Sequence, residues 1–292
     1  MSAPAARRHR DWSAYLFLAP YLTLFSVFLI LPLVFGLVLS FAQYDMLTRE
    51  PARFVGSANY AEAMGDAQFR NALRVTALFV VMCVPLTVGV ALLLAVGLES
   101  LPSPRQQNAY RLGIFVPTMI TISVAGILWR WFYDTEFGVF NAITGKKFPW
   151  LTSPQWALPS IVLMTLWWTV GGPTVILQAG LKQIPQAYYE AAAIDGATGL
   201  RRFFSITLPL LRPVLLFVTV LSVIGSFQIF GQPFIMTNPP GAPENATRVL
   251  VMYIYQTAFG FYRMGYAAAM SWLLFLVVVA FSVVQFRLFR ER

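Results

Sequence analysis

The chain has 292 residues, 58% of them hydrophobic and only 11% charged, with a net charge of +9. A soluble domain carries roughly 25% charged residues, so the composition excludes one and points to an integral membrane protein. The basic residues are spread over alternate loops and form no single face, which reads as a topology signal and excludes a nucleic-acid surface.

Crossing about 30 Å of hydrocarbon takes about 20 apolar residues. Six stretches qualify: residues 15–39, 75–98, 112–129, 157–181, 213–232 and 264–286. The expected fold is therefore all-α and polytopic, with six transmembrane helices and both termini on one side. A basic tail over residues 1–12, with Arg7, Arg8 and Arg10, precedes a single membrane domain over residues 13–292. The first apolar run is longer than the roughly 7 to 15 residues of a cleaved signal peptide, so it reads as an uncleaved anchor. Lys and Arg are denser in the loops on the side of this tail, which places both termini in the cytoplasm.

Between the spans, residues 41–74 hold Phe54, Tyr60, Phe69 and Leu73, enough apolar anchors for short surface helices. Residues 133–155 read as turns at Gly138, Asn141, Gly145, Pro149 and Pro154. Residues 233–262 turn at Pro239-Pro240-Gly241 and then offer a surface or re-entrant helix over 249–255. Trp150, Trp156, Tyr253, Tyr255 and Tyr262 read as an aromatic belt at the interface.

Several chemistries find no residues to carry them. The one histidine, His9, lies in the basic tail, and the one cysteine, Cys83, lies inside the second span. No metal site, catalytic pair or phosphate-binding loop can be assembled, so the chain is expected to be no enzyme and to hold no cofactor. The span cores carry no Asp, Glu, Lys, Arg or His. A proton-coupled secondary transporter or an ion-selective channel needs such charges, and their lack favours a neutral cargo. A sugar is bound by aromatic faces and by amides or hydroxyls. Two interior segments supply both: Trp167-Trp168-Thr169 with Gly171-Gly172-Pro173, and Ser226-Phe227-Gln228 with Phe230 and Gln232. Gly172-Pro173 should interrupt the fourth helix, which a membrane tolerates only where protein or a cavity covers the backbone.

The most distinctive segment lies between the fourth and fifth spans, over residues 185–209. Pro185 suits the first turn of a helix, Glu190-Ala191-Ala192-Ala193-Ile194 continue it, and Asp195-Gly196 supply a left-handed stop. Thr198 is placed to cap a second short helix that ends at Ile206-Thr207-Leu208-Pro209. Two short helices joined by a bend form a knob that fits a cleft on another protein, with Glu190 free to pair with a cation.

This spacing resembles the cytoplasmic "EAA" loop of binding-protein-dependent ABC importer permeases. The resemblance extends to Pro20, Phe28, Pro32 and Ser40-Phe41; to Gly56, Asn59-Tyr60, Arg111, Pro117 and Trp129; and to Ala179-Gly180-Leu181, Gly225-Ser226-Phe227-Gln228 and Met264-Gly265-Tyr266-Ala267. It points to the maltose-type carbohydrate permeases, and to the first of their two permease subunits. Members commonly carry Gly-Gly-Pro after the fifth span, where this chain reads Asn238-Pro239-Pro240-Gly241. The resemblance implies a sugar permease in a bacterial or archaeal plasma membrane. Its implied partners are a second, homologous permease, two ATPase subunits that hold ATP and Mg, and an extracytoplasmic solute-binding protein. It further implies ATPase coupling by Glu190, Ala191, Ala192, Asp195, Gly196, Ile206, Leu208 and Pro209. The sugar path would involve Trp167, Trp168, Gly172, Ser226, Phe227, Gln228 and Phe230. A related class carries glycerol-phosphate diesters, and another neutral solute is the remaining alternative cargo.

Overall fold

The computed structural model describes residues 12–47 and 51–290. The basic tail expected over residues 1–12, His9 included, lies outside the described residues except for Trp12. In chain order the helices are α1 (Trp12–Phe25), α2 (Leu31–Ser40), α3 (Ala58–Gly65), α4 (Ala67–Glu99) and α5 (Pro104–Met119). They continue with α6 (Ile122–Phe132), α7 (Val139–Thr144), α8 (Pro154–Thr169), α9 (Gly171–Lys182) and α10 (Gln186–Ile194). The last are α11 (Gly199–Arg202), α12 (Leu208–Phe227), α13 (Gly231–Met236), α14 (Leu250–Tyr255) and α15 (Met264–Arg290). One antiparallel ribbon, β1 (Ala42–Gln43) with β2 (Arg53–Phe54), interrupts the all-helical plan and replaces the helix expected around Phe54.

Among the described residues, four helical segments are long and apolar enough to cross a membrane: Tyr15–Ser40, Ala67–Glu99, Gly199–Phe227 and Met264–Arg287. Two further pairs of helices pass the same test only when taken together, and each is bent at its break. Pro104–Met119 and Ile122–Phe132 meet at 96°, and Pro154–Thr169 and Gly171–Lys182 meet at 51°. The third span is thus no straight helix over residues 112–129. Ile120 and Thr121 are extended, with ψ of 134° and 145°, and the Ile120 carbonyl is satisfied by the Trp168 indole instead of a helical amide.

Proline shapes two of the long segments in the same way. Leu31-Pro32 and Leu208-Pro209 are each preceded by a π turn, Ser26–Ile30 and Phe203–Thr207, in which the leucine N–H reaches five residues back, to Ser26 and Phe203. The wider turn makes room for a ring that has no N–H and would strike the carbonyl four residues earlier. The fifth span breaks sooner than expected. Residues 213–232 do not form one helix: α12 stops at Phe227, residues 228–230 leave the helix, and α13 restarts at Gly231. Pro233 sits in the first turn of α13, where its missing N–H costs nothing, and could not have continued α12.

The chain folds as two compact units, Met1–Ala63 with Thr257–Trp272, and Met64–Gln256 with Leu273–Arg292. In the first, Asn59 Nδ2 donates to the carbonyls of Ser40 and Ala42, both at 2.9 Å. Gly265 lies so close to the Ala42 carbonyl that any Cβ would overlap it. The second unit is built on α4, whose buried stripe Ala72, Thr76, Phe79, Cys83, Thr87, Ala91, Ala95 recurs at helical spacing. Small residues there, and Gly180 against Leu211 and Val214, let the helices approach closely, as packing in lipid favours. At the far end of α6, Asp134 Oδ1 accepts from the backbone N–H groups of Phe137 and Glu136, which holds its carboxyl below the usual range. The segment expected to be turns carries α7, ended by Gly145 at φ 66°. Trp150 is no simple belt residue: its indole donates to Asn141 and its ring meets Tyr133, Phe140 and Phe148.

Candidate transport cavity and coupling loop

The helix breaks converge on one cavity of about 500 Å³ within the second unit. Its walls are Phe79, Cys83 and Thr87 of α4, Thr165, Trp168 and Thr169 of α8, and Gly172, Pro173 and Ile176 of α9. The remaining walls come from α12, with Ser222 and Ser226 among them, and from Gln228, Phe230 and Gln232 around the break before α13. None of the lining residues is Asp, Glu, Lys, Arg or His.

The break between α8 and α9 falls at Val170, and Gly171 is the glycine that the packing demands. A Cβ there would stand 2.7 Å from the Ile114 carbonyl oxygen, whereas Gly172 faces open space and lines the cavity. Of the seven residues expected on the path, Trp168, Gly172, Ser226, Gln228 and Phe230 line the cavity. Trp167 and Phe227 do not. Trp167 turns into the core beside Trp129, ring centroids 5.4 Å apart, and Phe227 is 1% exposed against Phe281 at 5.1 Å. Neighbouring residues on a helix project about 100° apart, so a Trp-Trp pair cannot present both rings to one cavity.

The polar lining divides into groups already engaged and groups left free. Thr165 and Thr169 hydroxyls donate to carbonyls one turn back, both at 2.8 Å, and keep only acceptor lone pairs for anything else. The Trp168 indole N–H is held by Ile120 O at 2.9 Å, leaving the ring face as its contribution. The amides of Gln228 and Gln232 have no hydrogen-bond partner among the described residues, although Gln232 is 8% exposed. Gln228 is exposed, and neither amide is among the buried polar atoms left without a partner, so both are open to water or a ligand in the cavity. Thr87, Thr165 and Ser222 extend the polar lining beyond the residues named from the sequence; the hydroxyls of α4, at helical spacing on a face of small residues, were the readable sign of the first.

The loop over residues 185–209 is built differently. Pro185 is the residue just before α10, and α10 ends as the sequence suggests. Gly196 has φ 72°, its N–H reaches Ala193 O at 3.1 Å, and the Ala197 N–H reaches Ala192 O at 2.8 Å. These two bonds are a Schellman stop, which consumes the last free carbonyls. Thr198 forms no side-chain cap, and the following helix does not end at Leu208-Pro209: α11 runs through the π turn Phe203–Thr207 into α12 without interruption. Leu208 and Pro209 therefore belong to the start of a long span, with Ile206 in the π turn that accommodates the proline. Ala192 is buried, Ala191, Asp195 and Gly196 are exposed, and Glu190 is exposed with no ion pair among the described residues. Around them Ile194 is 88% exposed and Leu200 76%, with Tyr188 and Phe204 more than half exposed. Tyr189 and Thr207 share a hydrogen bond of 3.1 Å that ties α10 to the π turn.

Residues 69–291 match the family described as "Binding-protein-dependent transport system inner membrane component". The lactose transport system permease protein LacF of Rhizobium radiobacter is 35% identical over 299 residues, covering 100% of this chain and 98% of that protein. The sn-glycerol-3-phosphate transport system permease protein UgpA of Rhizobium meliloti (strain 1021) is 34% identical, covering 95% and 94%. The crystal structure of a bacterial ABC transporter involved in the import of the acidic polysaccharide alginate superposes with a TM-score of 0.82 at 22% identity, over 97% of this chain and 96% of that one, and so shares the fold. A helical chain with several segments long and apolar enough to cross a membrane, matched along nearly its whole length, belongs to the inner membrane permease components of binding-protein-dependent ABC transport systems.

Proposed function

We propose that this chain is one of two permease subunits of an ATP-driven importer for a neutral sugar, that the cavity is its half of the cargo path, and that the knob over residues 185–209 docks on an ATPase. The observation that carries the cargo reading is the cavity lining: a Trp168 face and two partnerless amides, Gln228 and Gln232, with no charged group among the lining residues. A sugar supplies CH patches for the ring and hydroxyls for the amides. A glycerol phosphate would bring its charge to a wall without a cation, at a large desolvation cost. That favours the sugar-type relative over the glycerol-phosphate type.

In this reading each bent pair is one crossing, giving six spans with both termini in the cytoplasm of a bacterial or archaeal plasma membrane. A solute-binding protein outside delivers the sugar, a second homologous permease closes the path, and two ATPase subunits hold ATP and Mg. Closure of the ATPases displaces the knob, and the spans rock as packed bodies between inward-open and outward-open arrangements. Exposed apolar residues at Ile194 and Leu200, on a turn locked by its own backbone, are what a docking knob requires.

The test is uptake by proteoliposomes of the complex co-purified from its native membrane, offered a panel of neutral mono- and disaccharides beside sn-glycerol 3-phosphate. Uptake of a neutral sugar alone is the expected result; uptake of the phosphate alone overturns the cargo assignment. Cysteines at Ala3 and Ser205 should be labelled from the cytoplasmic side and one at Ser57 from outside, and outside labelling at Ser205 would invert the topology and remove the docking surface.

A further inference from the structure

At the end of the spans that carries the knob, three helices are joined by a part-buried polar relay. Gln178 of α9 is 2% exposed. Its Oε1 accepts from Arg111 Nε of α5 at 2.9 Å, and its Nε2 donates to Glu99 Oε1 of α4 at 2.6 Å. One turn further along α9, Lys182 Nζ stands 3.6 Å from the same Glu99 oxygen. Both ends of the Gln178 amide are therefore engaged, one by a cation and one by an anion, and the charge-assisted pairing fixes which end is which. Glu99 is the last residue of α4, and α9 passes through only residues 183–185 before α10 begins. Apart from this relay, the contacts near this end of α9 are small or apolar: Leu177 within the α4–α9–α12 core and Gly180 against Leu211 and Val214. Such contacts resist separation but permit sliding.

We propose that Gln178 is a positioning residue for transport: its relay to Glu99 and Arg111 makes α4, α5 and α9 move as one body when the knob moves, so that displacement of α10 reaches the cavity walls. The hydrogen bonds supply what apolar packing lacks, a fixed register along the helix axes. Hydrogen-bond and ion-pair networks that join rigid helices are among the physical connections that carry coupling between separated sites. The relay rests on the coupling-loop reading above, and the experiment separates the two.

The importer complex is assembled with Cys83→Ser and Ser222→Cys, in partners lacking cysteine, so that the sole thiol is on the cavity wall. Its labelling rate with a small methanethiosulfonate reagent is measured without nucleotide and after trapping with ATP and vanadate. In the parent the two rates should differ by about tenfold. Equal rates in the parent would overturn both the loop reading and the relay. Gln178→Leu, which keeps volume but leaves Glu99 and Arg111 unjoined, should bring the two rates within about twofold of one another while nucleotide is still trapped. The exchange Glu99→Gln with Gln178→Glu restores an acceptor for Arg111 and an amide facing it, and should recover the parent's difference. A parent-like difference in Gln178→Leu overturns the relay and leaves the loop reading standing. Loss of the difference in both Gln178→Leu and the exchange, in complexes that trap nucleotide, reduces Gln178 to a packing residue.

Discussion

The cavity and the knob use polar groups in opposite ways. In the cavity the backbone is broken in two places, at Val170 and over residues 228–230, and side-chain amides are left without partners. In the knob the backbone closes on itself through the Gly196 stop, and large apolar side chains, Ile194 and Leu200 foremost, stand exposed beside the charged Glu190 and Asp195. A binding wall keeps its donors and acceptors free for a ligand that brings hydroxyls. The docking role proposed for the knob calls for a part that transmits force, which suits a turn closed by its own backbone bonds and an attachment made by apolar area. The two sites should therefore fail differently when altered.

The largest effect is expected at Gly196. Valine at φ 72° costs about 1 to 2 kcal/mol in backbone conformation and opens the bonds to Ala192 and Ala193. Gly196→Val should abolish ATP hydrolysis stimulated by the cargo-loaded binding protein while the chain still inserts, and Glu190→Lys, which reverses an exposed charge without altering the turn, should act in the same direction. Stimulated hydrolysis equal to the parent in both variants would remove the knob from the mechanism and end the comparison.

The cavity should fail in affinity and leave coupling intact. Gln228→Ala or Gln232→Ala leaves a cargo hydroxyl unpaired, about 1 to 3 kcal/mol, so half-saturation for uptake should rise about tenfold with basal ATP hydrolysis near normal. Trp168 separates two roles within one side chain. Trp168→Phe keeps a ring at the wall but frees the Ile120 carbonyl at the 96° bend, so it should lower the thermal stability of the complex more than it weakens uptake. If Trp168→Phe weakens uptake and leaves stability unchanged, the indole serves the cargo and not the bend.

The four long apolar helices were legible because hydropathy over about 20 residues is a property of composition. Of the helix breaks, the one in the fourth stretch was announced by Gly172-Pro173 and falls two residues earlier, at Val170; the others were not, because they depend on which turn a side chain occupies. Trp167 and Trp168 are indistinguishable by type, and only the phase of α8 decides that one faces the cavity and the other the core. Gly171 and Gly172 present the same problem, resolved by the approach of Ile114. Gly196 was readable because Asp-Gly after a helical run has one common outcome, the left-handed stop. The second helix of the knob misled because Leu208-Pro209 reads as an end, and a π turn ahead of a proline leaves no composition signal. Gln178 carried no local sign at all, since its partners Arg111 and Glu99 lie 67 and 79 residues away.

The smallest effect sharpens the comparison most finely. Tyr189→Phe removes only the hydroxyl that meets Thr207 at 3.1 Å, and a hydrogen bond of this kind contributes about 0.5 to 1.5 kcal/mol. The ring stays, the Gly196 stop stays, and no cavity residue is touched. Stimulated ATP hydrolysis should fall about threefold, with half-saturation for uptake unchanged, because α10 then swings more freely against the π turn that leads into α12. A loss as complete as that of Gly196→Val would mean that the knob is held by its tie to α12 and not by its own backbone, and the contrast between a self-bonded knob and an open-handed cavity would have to be given up. Activity equal to the parent, beside an inactive Gly196→Val, would instead assign the whole of the knob's rigidity to the Schellman stop.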